Sequence, residues 1–345
     1  MEYKLFRDIN IYDPFFESLK SAYAEFTNWY DRKSSAEDKA FVDYDEGGNL
    51  QAFLYLKIET GPITDVSPIL GDKKRLKIGT FKIDAHGTVL GERFVKKILD
   101  YAISENVDEV YATIFDEHEG LIGLLSSYGF IHYGTKTTPN GIEQVYLRNM
   151  RLTRNDVLLD YPYTYPTGHK KYVLAIKPQF HSRMFPDSLL NNENYNLIQD
   201  VSHTNSIHKV YISFIEDASQ VKPGDIICMY RTSDGLGPAR FRSVVTSICV
   251  VEEVKTKKDF HSAEELVAYA NRYNIFTPHE IRRCYNNNSF VAIKMTYNIA
   301  FTRRITNGNL QEMGIRPAYW GFFPLTEEQF ANIMHAGRIN LAYLK

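Results

Sequence analysis

Residues 75–106 combine two hydrophobic patterns of different period. In the first part, apolar and polar residues alternate, but the parity of the alternation changes near Gly79. The alternating apolar positions are Leu76, Ile78, Phe81 and Ile83. A change of parity at a glycine predicts a β-bulge, in which one extra residue interrupts strand pairing. A helical face follows, formed by Leu90, Phe94, Val95, Ile98, Leu99 and Ala102. The stretch predicts a bulged strand, a short loop and an amphipathic helix.

The segments before this stretch predict helices and a β-hairpin. Aromatic and leucine residues at helical spacing over 11–33 predict one or two helices. Two β-prone runs, 41–44 and 50–58, flank the turn sequence Asp-Glu-Gly-Gly-Asn and predict a hairpin. The polar, proline-containing segment 59–74 is predicted to be a loop.

The segments after it continue the alternation of strands and helices. A strand is predicted over 109–115, because the run is rich in branched and aromatic residues. An apolar helical face over 121–128 is followed by Gly129, a residue typical of helix ends. The runs 131–136 and 142–148 predict a second hairpin.

The rear part of the chain predicts a different architecture. Its strands are expected at 172–177, 209–214, after the turn Lys-Pro-Gly within 221–230, at 241–254 and at 290–301. Capping-box spacing predicts helix starts at Ser262, Thr277 and Thr326. A run of strands with inserted helices predicts a small, mostly antiparallel β-barrel.

The complete pattern predicts a mixed α+β fold in two domains. We expect a bulged central sheet with helices over 1–150 and the barrel with inserted helices over 170–345. The residues 151–169 between them include the sequence YPYTYPTGH, whose prolines favour an extended linker.

Composition narrows the class of protein. The 345 residues are 44% hydrophobic and 24% charged, which is typical of globular proteins. No apolar run reaches membrane-helix length and the first residues lack a signal-peptide core, so we expect a cytoplasmic protein. Cys228, Cys249 and Cys284 have no metal-ligand spacing, and we expect reduced thiols and no metal site.

The net charge of -2 conceals an asymmetry between the two parts. Residues 151–345 hold 23 Lys and Arg against 18 Asp and Glu, or +5; the remainder holds 40 − 23 = 17 against 42 − 18 = 24, or -7. Basic and aromatic side chains in the rear part could contact RNA phosphates and bases. These candidates are Lys177, His181, Arg231, Arg240, Arg242 and Trp320. Arg240 and Arg242 are expected on one face of a strand.

The loop before the amphipathic helix is a candidate phosphate site. N–H groups of such a loop and of the first helical turn point in one direction, at the positive end of the helix dipole. Gly87 and Gly91 would allow a phosphate or pyrophosphate to approach the backbone closely.

This loop resembles the acetyl-CoA-binding motif of the GNAT acyltransferases. The family pattern is Gln or Arg, two residues, Gly, one residue, then Gly or Ala; here His86, Val89 and Gly91 occupy these positions and only Gly91 matches. The element order over 1–150 and the phrase Ser-Ser-Tyr-Gly-Phe at 126–130 are also similar to that family. The resemblance implies acetyl-CoA as donor, bound by Phe81, Lys82, Ile83, His86, Gly87, Thr88, Val89, Leu90, Gly91 and Glu92.

The resemblance also implies an acid and a base near the strand ends. Its usual acid, a tyrosine, is replaced here by Leu125, and Tyr128 could substitute one turn later. Asp116 and Glu117 follow a predicted strand and are candidate bases, together with Asp84 and His118.

The rear part resembles the PUA-like group that includes ASCH and EVE domains. The similar segments are YVLAIKP at 172–178, KPGDII at 222–227 and the long β-prone run after them. This resemblance implies RNA binding. We therefore expect an N-acetyltransferase whose amine acceptor is presented by an RNA-binding domain. Acetylation of a protein or small-molecule amine, and a catalytically silent RNA-binding or acyl-CoA-sensing protein, are alternatives.

Overall fold

The chain forms two compact units in a computed structural model that describes residues 1–84, 89–185 and 206–345. The units are Met1–Leu159 and Asp160–Lys345. Tyr161 is fully buried in the second unit, where its hydroxyl donates a hydrogen bond of 2.8 Å to the carbonyl of Tyr297. The boundary between the units therefore lies inside the segment expected to be a linker.

The described residues of the first unit form a seven-stranded sheet with helices. Its strands are β1 (Glu2–Leu5), β2 (Lys39–Tyr44), β3 (Leu50–Ile63), β4 (Leu70–Ile83), β5 (Glu109–Ile114), β6 (Ile131–Thr138) and β7 (Gly141–Asn149). Its helices are α1 (Glu17–Ala22), α2 (Phe26–Ser35), α3 (Leu90–Ser104) and α4 (Glu119–Ser127). The strand order is β1-β2-β3-β4-β5-β7-β6. The predicted helices and hairpins of this unit are thus confirmed.

The predicted bulge is confirmed at Gly79. Tyr55 pairs with Thr80 and Leu56 pairs with Ile78, so Gly79 is the extra residue of β4. A Cβ atom at Gly79 would lie 2.7 Å from Cδ1 of Tyr55, which is closer than a carbon contact allows. Glycine is therefore required for the bulge to pack against the Tyr55 ring.

The predicted loop over 59–74 is wrong for most of its length. β3 continues to Ile63 and β4 begins at Leu70, so the two strands form a long hairpin. Gly71, Asp72 and Lys73 are exposed, which explains why this part of β4 carries no alternating apolar pattern. Exposed strand residues need no hydrophobic side chains, and periodicity cannot reveal them.

The described residues of the second unit form a six-stranded sheet. Its strands are β8 (Lys171–Ile176), β9 (His208–Ser213), β10 (Ile226–Arg231), β11 (Val244–Thr256), β12 (Val291–Thr306) and β13 (Phe322–Leu325). Its helices are α5 (Pro178–Met184), α6 (Ala239–Arg242), α7 (Ala263–Ala270), α8 (Pro278–Tyr285), α9 (Asn307–Glu312) and α10 (Glu327–Ala336).

This sheet is mostly antiparallel but is not a closed barrel over the described residues. Its order is β13-β8-β10-β11-β12-β9, and only β8 and β10 run parallel. The edge strands β13 and β9 do not pair with each other within 160–185 and 206–345. Cys228 and Cys249 are buried in the unit, whereas Cys284 is half-buried. Burial raises the pKa of the Cys228 thiol to about 12.

The strand predicted over 241–254 begins later than expected. β11 starts at Val244, and the residues before it form the short helix α6. Arg240 and Arg242 therefore lie in a helical turn and not on one face of a strand, which corrects that prediction. The helix starts at Ser262, Thr277 and Thr326 are confirmed, because each side chain accepts a hydrogen bond from the backbone N–H three residues later.

Among the described residues, no helix is both long and apolar enough to cross a lipid bilayer.

Candidate functional site

A cavity of about 330 Å³ opens in the first unit where β4 and β5 diverge. The parallel pairing of these strands runs only from Arg75 with Glu109 to Ile78 with Ala112. The Gly79 bulge comes next, and β4 then pairs with β3 alone. The charged and hydrogen-bonding residues that line the cavity include Tyr23, Glu25, Lys77, Thr80, Thr113, His118, Lys136, Asn140 and Glu143.

A tyrosine and a carboxylate meet at one end of the cavity. The Tyr23 hydroxyl donates a hydrogen bond of 2.8 Å to Oε1 of Glu143. Glu143 lies in β7 on the same face as buried Val145 and Leu147, and it is itself buried. The pKa of Tyr23 is raised by burial and by the negative charge of Glu143, so its hydroxyl keeps its proton.

Further carboxylates surround this end. The side-chain amide of Asn140 donates hydrogen bonds of 3.0 and 2.9 Å to the two oxygens of Glu25. Glu25 and Glu117 add to the negative potential at the Tyr23 hydroxyl. This end of the cavity can therefore stabilise a cationic amine.

A lysine with a perturbed pKa lines the cavity away from this end, because Lys77 pairs with Tyr111 and Tyr111 pairs with Leu147, which lies further along β7 than Glu143. Lys77 in β4 is half-buried, and its ammonium lies 5.6 Å from the centre of the Tyr111 ring. Burial lowers the pKa of Lys77, and the positive charge of Lys136 lowers it further. Both lysines line the cavity, but Lys136 pairs with Glu143 across β6 and β7, and its ammonium forms an ion pair of 2.6 Å with Asp65.

The residues predicted from the sequence to bind acetyl-CoA fall into three groups. Phe81, Lys82 and Ile83 form the end of β4, beyond the bulge, and the Phe81 ring lies 5.9 Å from the Phe94 ring of α3. The Lys82 ammonium has partners of its own, because it donates hydrogen bonds to the Phe15 carbonyl and to Oγ of Ser18 and forms an ion pair with Asp84. Residues 80–83 pair with β3 but not with β5, so peptide groups on the β5 side of this segment have no strand partner among the described residues.

The second group, His86, Gly87 and Thr88, lies outside the described residues. The third group begins α3. Val89 and Leu90 are buried, as is Glu92. A Cβ atom at Gly91 would lie 2.8 Å from Cδ2 of Leu124 in α4, so packing between the two helices accounts for this glycine.

Tyr128, Asp84, Asp116 and Glu117, which the sequence predicts as acid and candidate bases, are not part of the cavity lining. Tyr128 is only 3% exposed, and its carbonyl accepts a hydrogen bond of 2.5 Å from Arg148. Asp116 is exposed at the end of β5 and accepts a hydrogen bond of 3.0 Å from Gln144, and Glu117 is exposed beside it. Of the four candidate bases, His118 lines the cavity.

Sequence reasoning missed Glu143 and Lys77. A usable signal existed for Glu143, because it shares the parity of Val145 and Leu147 in a predicted strand. A carboxylate on the apolar face of a strand is a candidate functional group. Lys77 has no such signal, since it alternates normally with Leu76 and Ile78.

The predicted RNA-binding residues of the second unit are partly brought together. Arg231 ends β10 and pairs with Ile176 at the end of the parallel strand β8. Lys177 follows β8 directly and is exposed, and His181 lies one turn into α5. Because parallel strands end at the same edge of a sheet, Lys177, His181 and Arg231 share one end of this unit.

The other members of this group have partners of their own. Arg242 forms a two-pronged ion pair with Asp234, and Arg240 forms an ion pair of 3.1 Å with Glu312. The Trp320 ring stacks on Tyr230 at a centroid distance of 5.5 Å.

His181 is completely buried, with Nε2 at 2.7 Å from Oγ1 of Thr246. Burial lowers the pKa of His181 to about 3, and the charges of Arg231 and Arg304 add to this effect. His181 is therefore neutral at physiological pH and cannot supply a cation to a phosphate.

Comparison with known proteins gives weak likenesses only. No protein-family profile and no curated protein sequence matches the chain. Among solved structures, ASCH from Zymomonas mobilis is 12% identical, with 51% of this chain and 99% of that chain covered and a TM-score of 0.35. Naa20 of Chaetomium thermophilum, solved with a bisubstrate analogue, is 14% identical, with coverages of 43% and 86% and a TM-score of 0.32.

A spermidine N-acetyltransferase from Vibrio cholerae is 16% identical, with coverages of 36% and 74% and a TM-score of 0.27. The chain is thus similar to GNAT acetyltransferases and to an ASCH protein, each over about half its length or less. At these values the likeness assigns no activity to the chain.

Proposed function

We propose that the first unit is an N-acyltransferase that uses acetyl-CoA as donor. The observation that carries the proposal is the divergence of β4 and β5 after Ile78 and Ala112, next to the Gly79 bulge. This divergence leaves strand backbone unpaired at the wall of a cavity that contains ionisable groups suited to proton transfer.

The donor would bind along the open edge of β4. The pantetheine arm of CoA contains two amides in an extended chain, which match the unpaired peptide groups of 80–83 in the manner of an added strand. The pyrophosphate would lie near the first turn of α3, a helix of 15 residues, where N–H groups and the helix dipole favour anions. His86, Gly87 and Thr88 remain predicted contacts.

Acyl transfer at this site would need no covalent enzyme intermediate. The acceptor ammonium first releases one proton to solvent; the neutral nitrogen then attacks the thioester carbonyl carbon, a C–N bond forms and the C–S bond breaks. We assign the acceptor proton to Glu143, which lines the cavity with its carboxylate. The departing thiolate takes a proton from Tyr23, and Tyr23 recovers one from protonated Glu143 through their hydrogen bond.

Tyr128 stays a predicted acid, but its burial outside the cavity lining favours Tyr23 for this role. The test of the donor proposal is calorimetry of the full chain with acetyl-CoA. Saturable binding is expected, and the absence of binding would contradict the proposal. Gly71→Ala, a change in an exposed part of β4, is the matched control for variants at the bulge.

A second proposal concerns the acceptor. We infer RNA binding by the second unit from Lys177, an exposed cation at the end of the unit where β8 and β10 both finish and where Arg231 also lies. In this case the acceptor would be RNA or an RNA-associated amine. Incubation of the full chain with labelled acetyl-CoA and a cell extract separates the possibilities. Label in RNA supports this second proposal, whereas label only in small molecules contradicts it.

A further inference from the structure

The charged groups that line the cavity of the first unit fall into an acidic and a basic group. The acidic group surrounds Tyr23 and comprises Glu143, Glu25 and, through space, Glu117. The basic group comprises Lys77 and the ammonium of Lys136, which is paired with Asp65 and whose backbone lies opposite Glu143. A ligand that fills the cavity therefore meets potentials of opposite sign.

Lys77 lacks an ion-pair partner among the described residues. Two carboxylates act on it through space, Glu59 and Asp65, and both are bound by other donors. Glu59 accepts hydrogen bonds from Tyr111 and Lys57, and Asp65 forms an ion pair of 2.6 Å with Lys136. Lys57 and Lys136 add positive charge near Lys77. A partly buried ammonium in such surroundings is stabilised by an anion that enters the cavity.

We propose that the acceptor of this site is a small zwitterion, with its amine at Tyr23 and Glu143 and its anionic group, such as a carboxylate, at Lys77. This inference rests on the proposed acyl transfer and names a substrate class that is an alternative to the RNA acceptor of the second proposal. The cavity volume of about 330 Å³ lies at the lower end of the range for small-molecule sites. It suits an amino acid or a compound of similar size.

The charge arrangement also disfavours another class of amine. A diamine or polyamine with one amine at Glu143 would place a second cation near Lys77, and repulsion would weaken its binding. A simple monoamine avoids this repulsion but leaves Lys77 without a counter-ion. Only a zwitterion satisfies both ends of the cavity.

The test compares matched acceptors with the full chain at saturating acetyl-CoA. The acceptors are the twenty common L-amino acids, the corresponding amino-acid amides, which lack the carboxylate, and the diamine putrescine. Acetylated products are measured by mass spectrometry. We expect at least one amino acid to exceed its amide in kcat/KM by about tenfold or more, as for loss of a charge-assisted hydrogen bond.

Two lysine variants test whether Lys77 is the group that binds the carboxylate of the acceptor. Lys77→Met should lower kcat/KM for the preferred amino acid by about tenfold or more and change the value for its amide less than about threefold. Lys57→Met is the matched control, because Lys57 pairs with Lys77 across β3 and β4 but does not line the cavity. It should change both values less than about threefold. Circular dichroism and acetyl-CoA affinity verify that each variant is folded.

Several outcomes would overturn the inference. Amides or putrescine could be better acceptors than every amino acid, or Lys77→Met could lower the rates for acid and amide equally. Acetylation of Lys77 itself, or transfer to no member of the panel, would also overturn it. If acetyl-CoA binds by calorimetry in these cases, the donor proposal survives. If acetyl-CoA does not bind, both proposals fail.

Discussion

The hydroxyl of Tyr23 donates a hydrogen bond of 2.8 Å to Oε1 of Glu143, although the two residues are 120 positions apart in the sequence. The Tyr23 ring also packs at 5.4 Å from the ring of Phe115, which follows β5. The bond joins the segment between α1 and α2 to β7 at the wall of the cavity. The proposed proton transfer depends on this pair.

Glu143→Gln is expected to lower kcat for acyl transfer by about 100-fold or more, because an amide cannot accept the proton of the acceptor amine. Tyr23→Phe should lower kcat by a smaller factor, since water can protonate the departing thiolate. Steady-state kinetics with saturating acetyl-CoA measures both effects. Asp116→Asn and Glu117→Gln, at the exposed residues predicted from sequence, should change kcat little. A larger loss in either of these two variants would assign the base there and not to Glu143.

Gly79→Ala should destabilise the protein by about 1 to 3 kcal/mol, because the added methyl group would meet the Tyr55 ring at 2.7 Å. The bulge should shift as a result, and the affinity for acetyl-CoA should fall. Urea unfolding and calorimetry measure the two effects. In Gly71→Ala, nothing lies within 4 Å of the added Cβ atom, so stability should change by less than about 0.5 kcal/mol. Equal effects of the two changes would disprove the packing role of Gly79.

Arg75→Met should lower the unfolding free energy by about 3 kcal/mol. Nε of Arg75 lies 2.8 Å from Oε2 of Glu109, and the side chains are 1% and 5% exposed. Removal of one partner leaves a buried charge that Lys73, at 2.5 Å from Glu109, compensates only in part. The comparison is Arg7→Met at the Arg7–Glu37 ion pair, whose side chains are 53% and 67% exposed. That change should cost less than about 1 kcal/mol.

The second unit should lose stability in acid because of His181. Its pKa is about 3 in the folded chain, below the usual 6.5. Between pH 3 and pH 6.5, the unfolded chain therefore binds a proton at His181 that the folded chain does not bind. The contribution of neutral His181 is complete above about pH 6.5 and is lost progressively as the pH falls towards 3. From pH 7 to 4.5, the wild type should lose roughly 2 to 3 kcal/mol more than His181→Gln.

Urea unfolding followed by Trp320 fluorescence in a Trp29→Phe background measures this difference. His335→Gln, in an exposed position of α10, serves as the control and should keep the acid dependence of the wild type. If His181→Gln also keeps the acid dependence of the wild type, the buried histidine is not the source of that dependence.

Local elements of the candidate site were predictable from sequence, but the reacting groups were not. The bulge at Gly79 and the helix after it follow from two periodicities and one glycine, all within thirty residues. Gly91 was predicted to allow the close approach of a phosphate, whereas in the structure it allows the close packing of the Leu124 side chain. A glycine indicates that another group approaches the backbone closely, but the sequence does not reveal whether this group is a ligand or a neighbouring side chain.

The same limit applies to the rear part. Turn and capping sequences located the helices at Ser262, Thr277 and Thr326, because each cap is satisfied within three residues. Arg240 and Arg242 lie at the start of the β-prone run 241–254, and for this reason the sequence predicts that they belong to a strand. The structure instead places a helical turn at α6, and its arginines form ion pairs with Asp234 and Glu312.

The sequence by itself determined the order of strands and helices, the bulge and the helix caps, since each depends on residues that are near one another in the chain. Only the tertiary structure decided where β4 and β5 separate, and which charges line the gap. Tyr23, Lys77 and Glu143 come from three segments far apart in sequence, and of these only Glu143 has a local pattern that indicates a functional group. Their chemistry arises from burial and from one another's charges, and these exist only once the sheet has brought the three elements together.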